Sequence, residues 1–211
     1  MVRRLGSVLT ALLISGVLAS VGVVAPVAAA SPVPKVVIIV GPAGGATDGY
    51  RAQARAAAAV ARTYTPDVTE IYSPNATWPA VKAALQGASL VVYMGHGNGW
   101  PSPYRDALYR PTQNGFGLNP RAGGNDDTHQ YFGESRVAAS INLAKNAVVL
   151  LHHLCYASGN SEPQLPEGTL DQAKQRVDNF AAGFIDAGGN QYLLGNPPGK
   201  RRWTGSRRGS T

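Results

Sequence analysis

The sequence predicts an α/β fold: a mostly parallel sheet with helices on both faces. Three observations predict it. Short runs of almost purely apolar residues recur along the chain, and such runs read as strands buried on both sides. Helical segments alternate with them, the order that strand–helix–strand crossovers produce. The length, 211 residues with 44% hydrophobic and 15% charged, suits one domain around one core.

Each element has a local reason. Residues 35–40 form a β-branched run that ends at Gly41-Pro42 and read as the first strand. Residues 50–63 are alanine-rich, with Arg51, Arg55 and Arg62, and read as a helix. Residues 68–72 read as a second strand, stopped by Ser73-Pro74. Residues 77–86 read as a helix, capped by Thr77 and closed by Gly87. Residues 89–94 and 147–154 are the third and fourth strands. Residues 177–187 read as a helix ended by Gly188-Gly189, and 191–194 as a short last strand. Between the third and fourth strands, residues 95–134 are rich in Gly, Pro, Asn and aromatics. A stretch that long is either a functional loop or disordered.

The two ends differ from the body. Arg3 and Arg4 precede an apolar run over residues 5–24, and Ala28 and Ala30 match the small-residue pattern read by a signal peptidase. Residues 1–30 are therefore expected to be a signal peptide cleaved after Ala30. An uncleaved membrane anchor is the alternative. Residues 31–196 are the expected domain, and 197–211 a basic, unstructured tail. Of 19 basic residues, seven lie at the ends: Arg3, Arg4, Lys200, Arg201, Arg202, Arg207 and Arg208. That leaves 12 against 12 acidic ones, so the net charge of +7 comes from the termini. A neutral body argues against a nucleic-acid enzyme; the tail is suited at most to an anionic cell surface. No second long apolar run follows, so no membrane span is expected after signal cleavage.

The chemistry is expected where two strands end, because sites in open α/β sheets form beyond the carboxyl ends of strands. The third strand runs out as Tyr93-Met94-Gly95-His96-Gly97. The fourth runs out as His152-His153-Leu154-Cys155-Tyr156-Ala157-Ser158-Gly159. If these strands are neighbours, His96 and Cys155 open onto one edge. A thiolate is a nucleophile that an adjacent imidazole can generate. Gly97 lets its amide approach a substrate oxygen, and with the Cys155 amide it makes a candidate oxyanion hole. Cys155 is the chain's one cysteine, so it has no disulfide partner within the chain.

At these residues the sequence resembles the caspase-like cysteine peptidases, the clan of caspases, legumains, gingipains and clostripains. A strand ending in His-Gly and a later apolar strand ending in Cys are that pattern. Cys155 follows His96 by 59 residues, against about 50 in caspases. The turn ending Ser158-Gly159 looks more like the legumain version. The resemblance spans residues 35–189. It implies a caspase-like three-layer sandwich, a catalytic dyad of His96 and Cys155, an oxyanion hole from the Gly97 and Cys155 amides, and peptide-bond cleavage without a cofactor. The residues beside Cys155, Leu154 and Tyr156, differ from those of caspases, so specificity does not carry over. Family domains continue with two further strands after the cysteine. Here only 191–194 can serve, so the expected domain is cut short at its C-terminus.

Other readings stand beside this one. Cys155 at a strand end is also a small buried hydrophobe. His152 and His153 alternate along a strand and are expected to face opposite sides. His96, His129, His153 and Cys155 are a conceivable zinc set, although no pair has helical ligand spacing. Residues 41–45 could cradle phosphate, but they lack G-x-G-x-x-G and a Walker lysine and read as a turn. Asn125-Asp126-Asp127 reads as a turn rather than a calcium site. Trp100, Tyr104, Tyr109, Phe116, Tyr131 and Phe132 either wall a cleft or form a small core of their own. Asp106, Asp127 or Glu134 would select a basic side chain if they lined the pocket. The expected function is thiol-dependent peptide hydrolysis by an exported protein outside a bacterial-type cytoplasmic membrane. A catalytically inactive, surface-binding domain on the same fold is the alternative, and a metal-dependent hydrolase a third reading.

Overall fold

The first strand, β1 (Val36–Val40), is buried along its whole length. A computed structural model describes residues 33–195. The expected signal segment (1–30) and basic tail (197–211) lie outside the described residues. β1 pairs in parallel with β2 (Val68–Tyr72) on one side and β3 (Leu90–Met94) on the other. β3 pairs in parallel with β6 (Ala147–His152), and β6 with β7 (Gly189–Gly195). The sheet order is β2-β1-β3-β6-β7, all parallel. The order reverses between β1 and β3, which makes the space beyond their carboxyl ends the natural place for a site.

The period of two along β1 divides the core. Val36, Ile38 and Val40 join Val92 and Met94 of β3 in one cluster with Ala54 and Ala58 of α1 (Thr47–Ala61). Val37 and Ile39 join the larger cluster. That cluster holds Val81 of α2 (Trp78–Ala84), Val137 of α3 (Glu134–Ser140), and Phe180 and Phe184 of α4 (Leu170–Asp186). Ala54 and Ala58, one turn apart, are small enough to bring α1 close to the strands. Each large aliphatic side chain sealed in these clusters contributes about 1.5–3 kcal/mol.

Helix starts differ from the sequence reading. α1 begins at Thr47, whose hydroxyl accepts from Ala43 N at 2.8 Å and donates to Gly44 O at 2.8 Å. α4 begins at Leu170, seven residues before the expected start. Thr169 and Gln172 form a reciprocal capping box there, with bonds of 3.2 and 2.9 Å. Thr77 does occupy the N-cap of α2, but its side chain makes no capping bond.

The long stretch after β3 is neither a bare loop nor disordered. β4 (Phe116–Leu118) and β5 (Gln130–Phe132) pair antiparallel. Buried polar side chains hold the rest together. Gln113 accepts from Tyr109 N and donates to Gly99 O. Asn114, at φ +63°, donates to Glu134, which pairs with Arg110 at 2.6 Å. These bonds satisfy backbone and side-chain groups that would otherwise be stranded in the interior.

Candidate active site

β3 and β6 end level, Met94 opposite His152, so the residues that follow leave the sheet side by side. The structure brings His96, Gly97 and Cys155 together there. Gly97 is buried, and its backbone lies against that of Cys155. A Cβ at Gly97 would fall onto the Cys155 carbonyl oxygen and within 2.9 Å of its nitrogen. Among the described residues, neither the Gly97 nor the Cys155 N–H donates to a backbone carbonyl. His96 and Cys155, both partly exposed, line one cleft of about 810 Å³.

The loop carrying His96 is fixed from below. The Tyr93 side chain is fully buried. Its hydroxyl accepts from Gly117 N at 2.8 Å and has its proton to share between Gly117 O at 2.9 Å and His96 O at 3.2 Å. β4 is thereby tied to the backbone of His96, and a Cβ at Gly117 would come within 3.3 Å of the His96 Cβ.

The turn carrying Cys155 is bent on both sides of it. His153 has φ +62° and Tyr156 φ +65°, each costing about 1–3 kcal/mol for a non-glycine residue. Buried Arg176 of α4 offsets this. It donates to Pro101 O at 2.8 Å, Asn160 O at 3.1 Å and Gly159 O at 3.2 Å, and its guanidinium sits 4.9 Å from the Tyr156 ring centre.

The positive φ at His153 corrects the expectation for the histidine pair. β6 stops at His152, the alternation stops with it, and the two rings lie 3.8 Å apart rather than on opposite sides. His153 stacks on Tyr50 of α1 at 4.9 Å, and its Nε2 lies 3.3 Å from Gln53 Oε1.

Three further groups enter the site: His129, weighed from the sequence as a conceivable zinc ligand, Tyr131, weighed as a cleft wall, and Glu162, which the sequence reading did not single out. His129 lies with its ring 4.5 Å from that of His96, and its Nδ1 is buried with no hydrogen-bond partner among the described residues. Tyr131 lies 4.7 Å beyond it. Glu162 lines the cleft and accepts from the Tyr104 hydroxyl at 2.7 Å. The carboxylates considered from the sequence do not line the cleft. Asp106 and Asp127 are exposed, and Glu134 is buried against Arg110. The aromatics divide. Tyr104 and Tyr131 line the cleft, whereas Phe116 packs on Tyr93 and Phe184 and Phe132 stacks on Trp78.

The electrostatics favour neutral partners at rest. Burial, then the nearby Glu162 charge, pushes the Cys155 thiol up to about 11, while its own backbone N–H pulls weakly the other way. Burial lowers His96, with Glu162 opposing. Burial also lowers His129, helped by His96. His96 is therefore a free base at neutral pH and Cys155 a thiol.

Neither a family model nor a curated protein matches this chain. The two turns considered for phosphate and calcium are tied by contacts within the chain. Among the described residues no three His, Cys, Asp or Glu side chains gather as metal ligands. The amides of Ala43 and Gly44, in the turn considered for phosphate, donate to Thr47 Oγ1 and Asp126 O. Asp126 itself accepts from Arg51 and Ser73, and Asn125 Oδ1 from the amides of Asp127 and Thr128, so this segment is a tied turn. No helix among the described residues is long and apolar enough to cross a membrane.

Proposed function

We propose that this chain is a caspase-like cysteine peptidase that hydrolyses peptide bonds through His96 and Cys155. The observation that carries the reading is the meeting of His96, Gly97 and Cys155 at the level ends of two paired parallel strands, on one cleft. In this reading the neutral His96 imidazole takes the thiol proton as sulfur attacks the peptide carbonyl. The oxyanion that forms is met by the Gly97 and Cys155 amides. Collapse expels the amine, which receives the proton from His96, and leaves a thioester on Cys155. Water then adds to the thioester carbonyl as His96 takes its proton, the C–S bond breaks to release the acid, and His96 returns the proton to the Cys155 sulfur. The protein acts after export, with residues 1–30 removed, outside the cytoplasmic membrane.

The raised thiol supports one rival, a catalytically inactive surface-binding domain, since a thiol without a neighbouring cation is a poor resting nucleophile. Hydrolysis of a mixed peptide library separates the two. The peptidase reading expects cleavage that alkylation of Cys155 abolishes and a chelator leaves intact. Absence of cleavage by the folded chain contradicts it and favours the binding domain. Loss on chelation alone points to a metal-dependent hydrolase.

A further inference from the structure

Four carboxylates among the described residues are withdrawn from full exposure: Glu70, Asp126, Glu134 and Glu162. Three are paired with an arginine: Arg62 for Glu70, Arg51 for Asp126 and Arg110 for Glu134. Glu162 differs. Among the described residues no Lys, Arg or His nitrogen lies within 4.0 Å of it. The hydrogen bond it accepts comes from a neutral donor, the Tyr104 hydroxyl. A partly buried charge without a counter-ion costs free energy, which a cationic ligand would recover.

Its surroundings fit such a ligand. Glu162 lines the cleft together with Tyr50, Tyr104 and Tyr131. Tyrosine faces beside a carboxylate attract ammonium and guanidinium groups, the ring through its quadrupole and the carboxylate through charge-assisted hydrogen bonds. The nearby protein cations are engaged elsewhere. Arg105, which lines the same cleft at its exposed rim, lies with its guanidinium over the Tyr109 ring, 4.5 Å from the ring centre, and makes no ion pair with Glu162. Arg176 is buried against the carbonyls of Pro101, Gly159 and Asn160. The Glu162 charge is felt by both the Cys155 thiol and the Tyr131 phenol, so it acts at the reacting end of the cleft.

We propose that Glu162, Tyr104 and Tyr131 form a subsite for a cationic peptide side chain, arginine or lysine. As a statement of substrate class this rests on the peptide-hydrolase reading; the binding itself needs no turnover.

The test uses the full chain carrying Cys155→Ala, so that nothing is cleaved. Nα-acetyl-arginine methylamide and Nα-acetyl-citrulline methylamide, alike in shape but differing in charge, are titrated calorimetrically. The arginine compound should bind at least about tenfold tighter, the scale of a charged hydrogen bond in a partly buried site. Adding Glu162→Gln should bring the two within about twofold, as loss of the carboxylate removes that bond. Equal binding of the two compounds overturns the proposal. So does no arginine binding up to ~10 mM, the weak end of specific affinity, or a preference that survives Glu162→Gln. The comparison of the two compounds on the Cys155→Ala chain stands even if Glu162→Gln fails to fold. A charge preference without peptide cleavage by the unsubstituted chain sinks the peptidase reading alone. Cleavage without a charge preference sinks the subsite alone.

Discussion

The carboxyl edge of the sheet has two halves that treat polar groups differently. Beyond β1 and β2, charges are tied to one another. Arg51 donates to Ser73 O at 2.7 Å and to Asp48 and Asp126, and Ser73 Oγ donates to Asp126 at 2.6 Å. Beyond β3 and β6, titratable groups are held in place but left unmatched: a raised thiol, a lowered imidazole, a buried His129 Nδ1 and a carboxylate without a cation. The backbone differs as well, with His153 and Tyr156 left-handed on either side of Cys155. A fold that ties its charges in one half, where Asn119 Oδ1 is the buried polar atom left without a partner among the described residues, and leaves them unmatched in the other has separated stability from reactivity, and substitutions should expose that division.

The largest effect is expected at Gly97. In Gly97→Ala the new methyl meets the Cys155 carbonyl, so the two strand ends must part. A loss of about 1–3 kcal/mol in stability is expected, as for overpacking, read from denaturant unfolding. Peptide hydrolysis should fall at least about a hundredfold, the scale of one oxyanion-hole donor. Retained hydrolysis would remove Gly97 from the site. On the tied half, Arg51→Ala should cost a comparable ~1–3 kcal/mol through the lost charged hydrogen bonds. It should leave kcat/KM unchanged, and a fall in kcat/KM beyond the effect on folding would erase the contrast between the halves.

Acidity gives a smaller, graded effect. His96, His129, His152 and His153 are all lowered from 6.5, chiefly by burial. As the pH falls through that value the unfolded chain takes up protons that the folded chain refuses, so stability should decline. The opposite sign applies to the thiol. Its folded pKa is raised from 9.0 to about 11, so the unfolded chain loses this proton first and stability falls as pH rises through that window. Iodoacetamide labelling of the folded chain should therefore keep accelerating above pH 9.0; a plateau there means an ordinary thiol. The smallest effect is expected at Gly49 of α1, where a Cβ meets nothing within 4 Å. Gly49→Ala should stabilise by about 0.5–1 kcal/mol, raising Tm without touching activity.

The same division explains what could be read from the sequence. β1, β3 and β6 are legible to within a residue or two because their burial is written as apolar runs, β2 because β-branched and aromatic residues stop at Ser73-Pro74, and β7 because a turn precedes it. α4 was read seven residues short, since its first two turns are polar and the signal lay in the Thr169–Gln172 capping box. β4, β5 and α3 were missed. The three-residue strands carry no usable period, and α3, as short as α2, lacks the Thr and Gly boundary signals that mark α2; all three are held by distant partners such as Tyr93, Asn114 and Arg110. The site was legible where it sits on strand ends, at His96, Gly97 and Cys155. His129 and Tyr131 were open alternatives, a zinc ligand and a cleft wall, and Glu162 went unread because it reaches the cleft from a turn with no local pattern. His152 and His153 were misread because the strand was carried past its end; a left-handed residue there leaves no mark in the composition.

The central claim is that Cys155 is the nucleophile of a peptide hydrolase. The most direct test compares hydrolysis of a mixed peptide library by the full chain with that by Cys155→Ala and His96→Ala chains, each verified as folded. The account predicts cleavage by the unsubstituted chain, none by Cys155→Ala, and a loss of at least about a hundredfold in His96→Ala, the scale of general base catalysis. Cleavage that survives Cys155→Ala, or no cleavage by the folded unsubstituted chain, contradicts it.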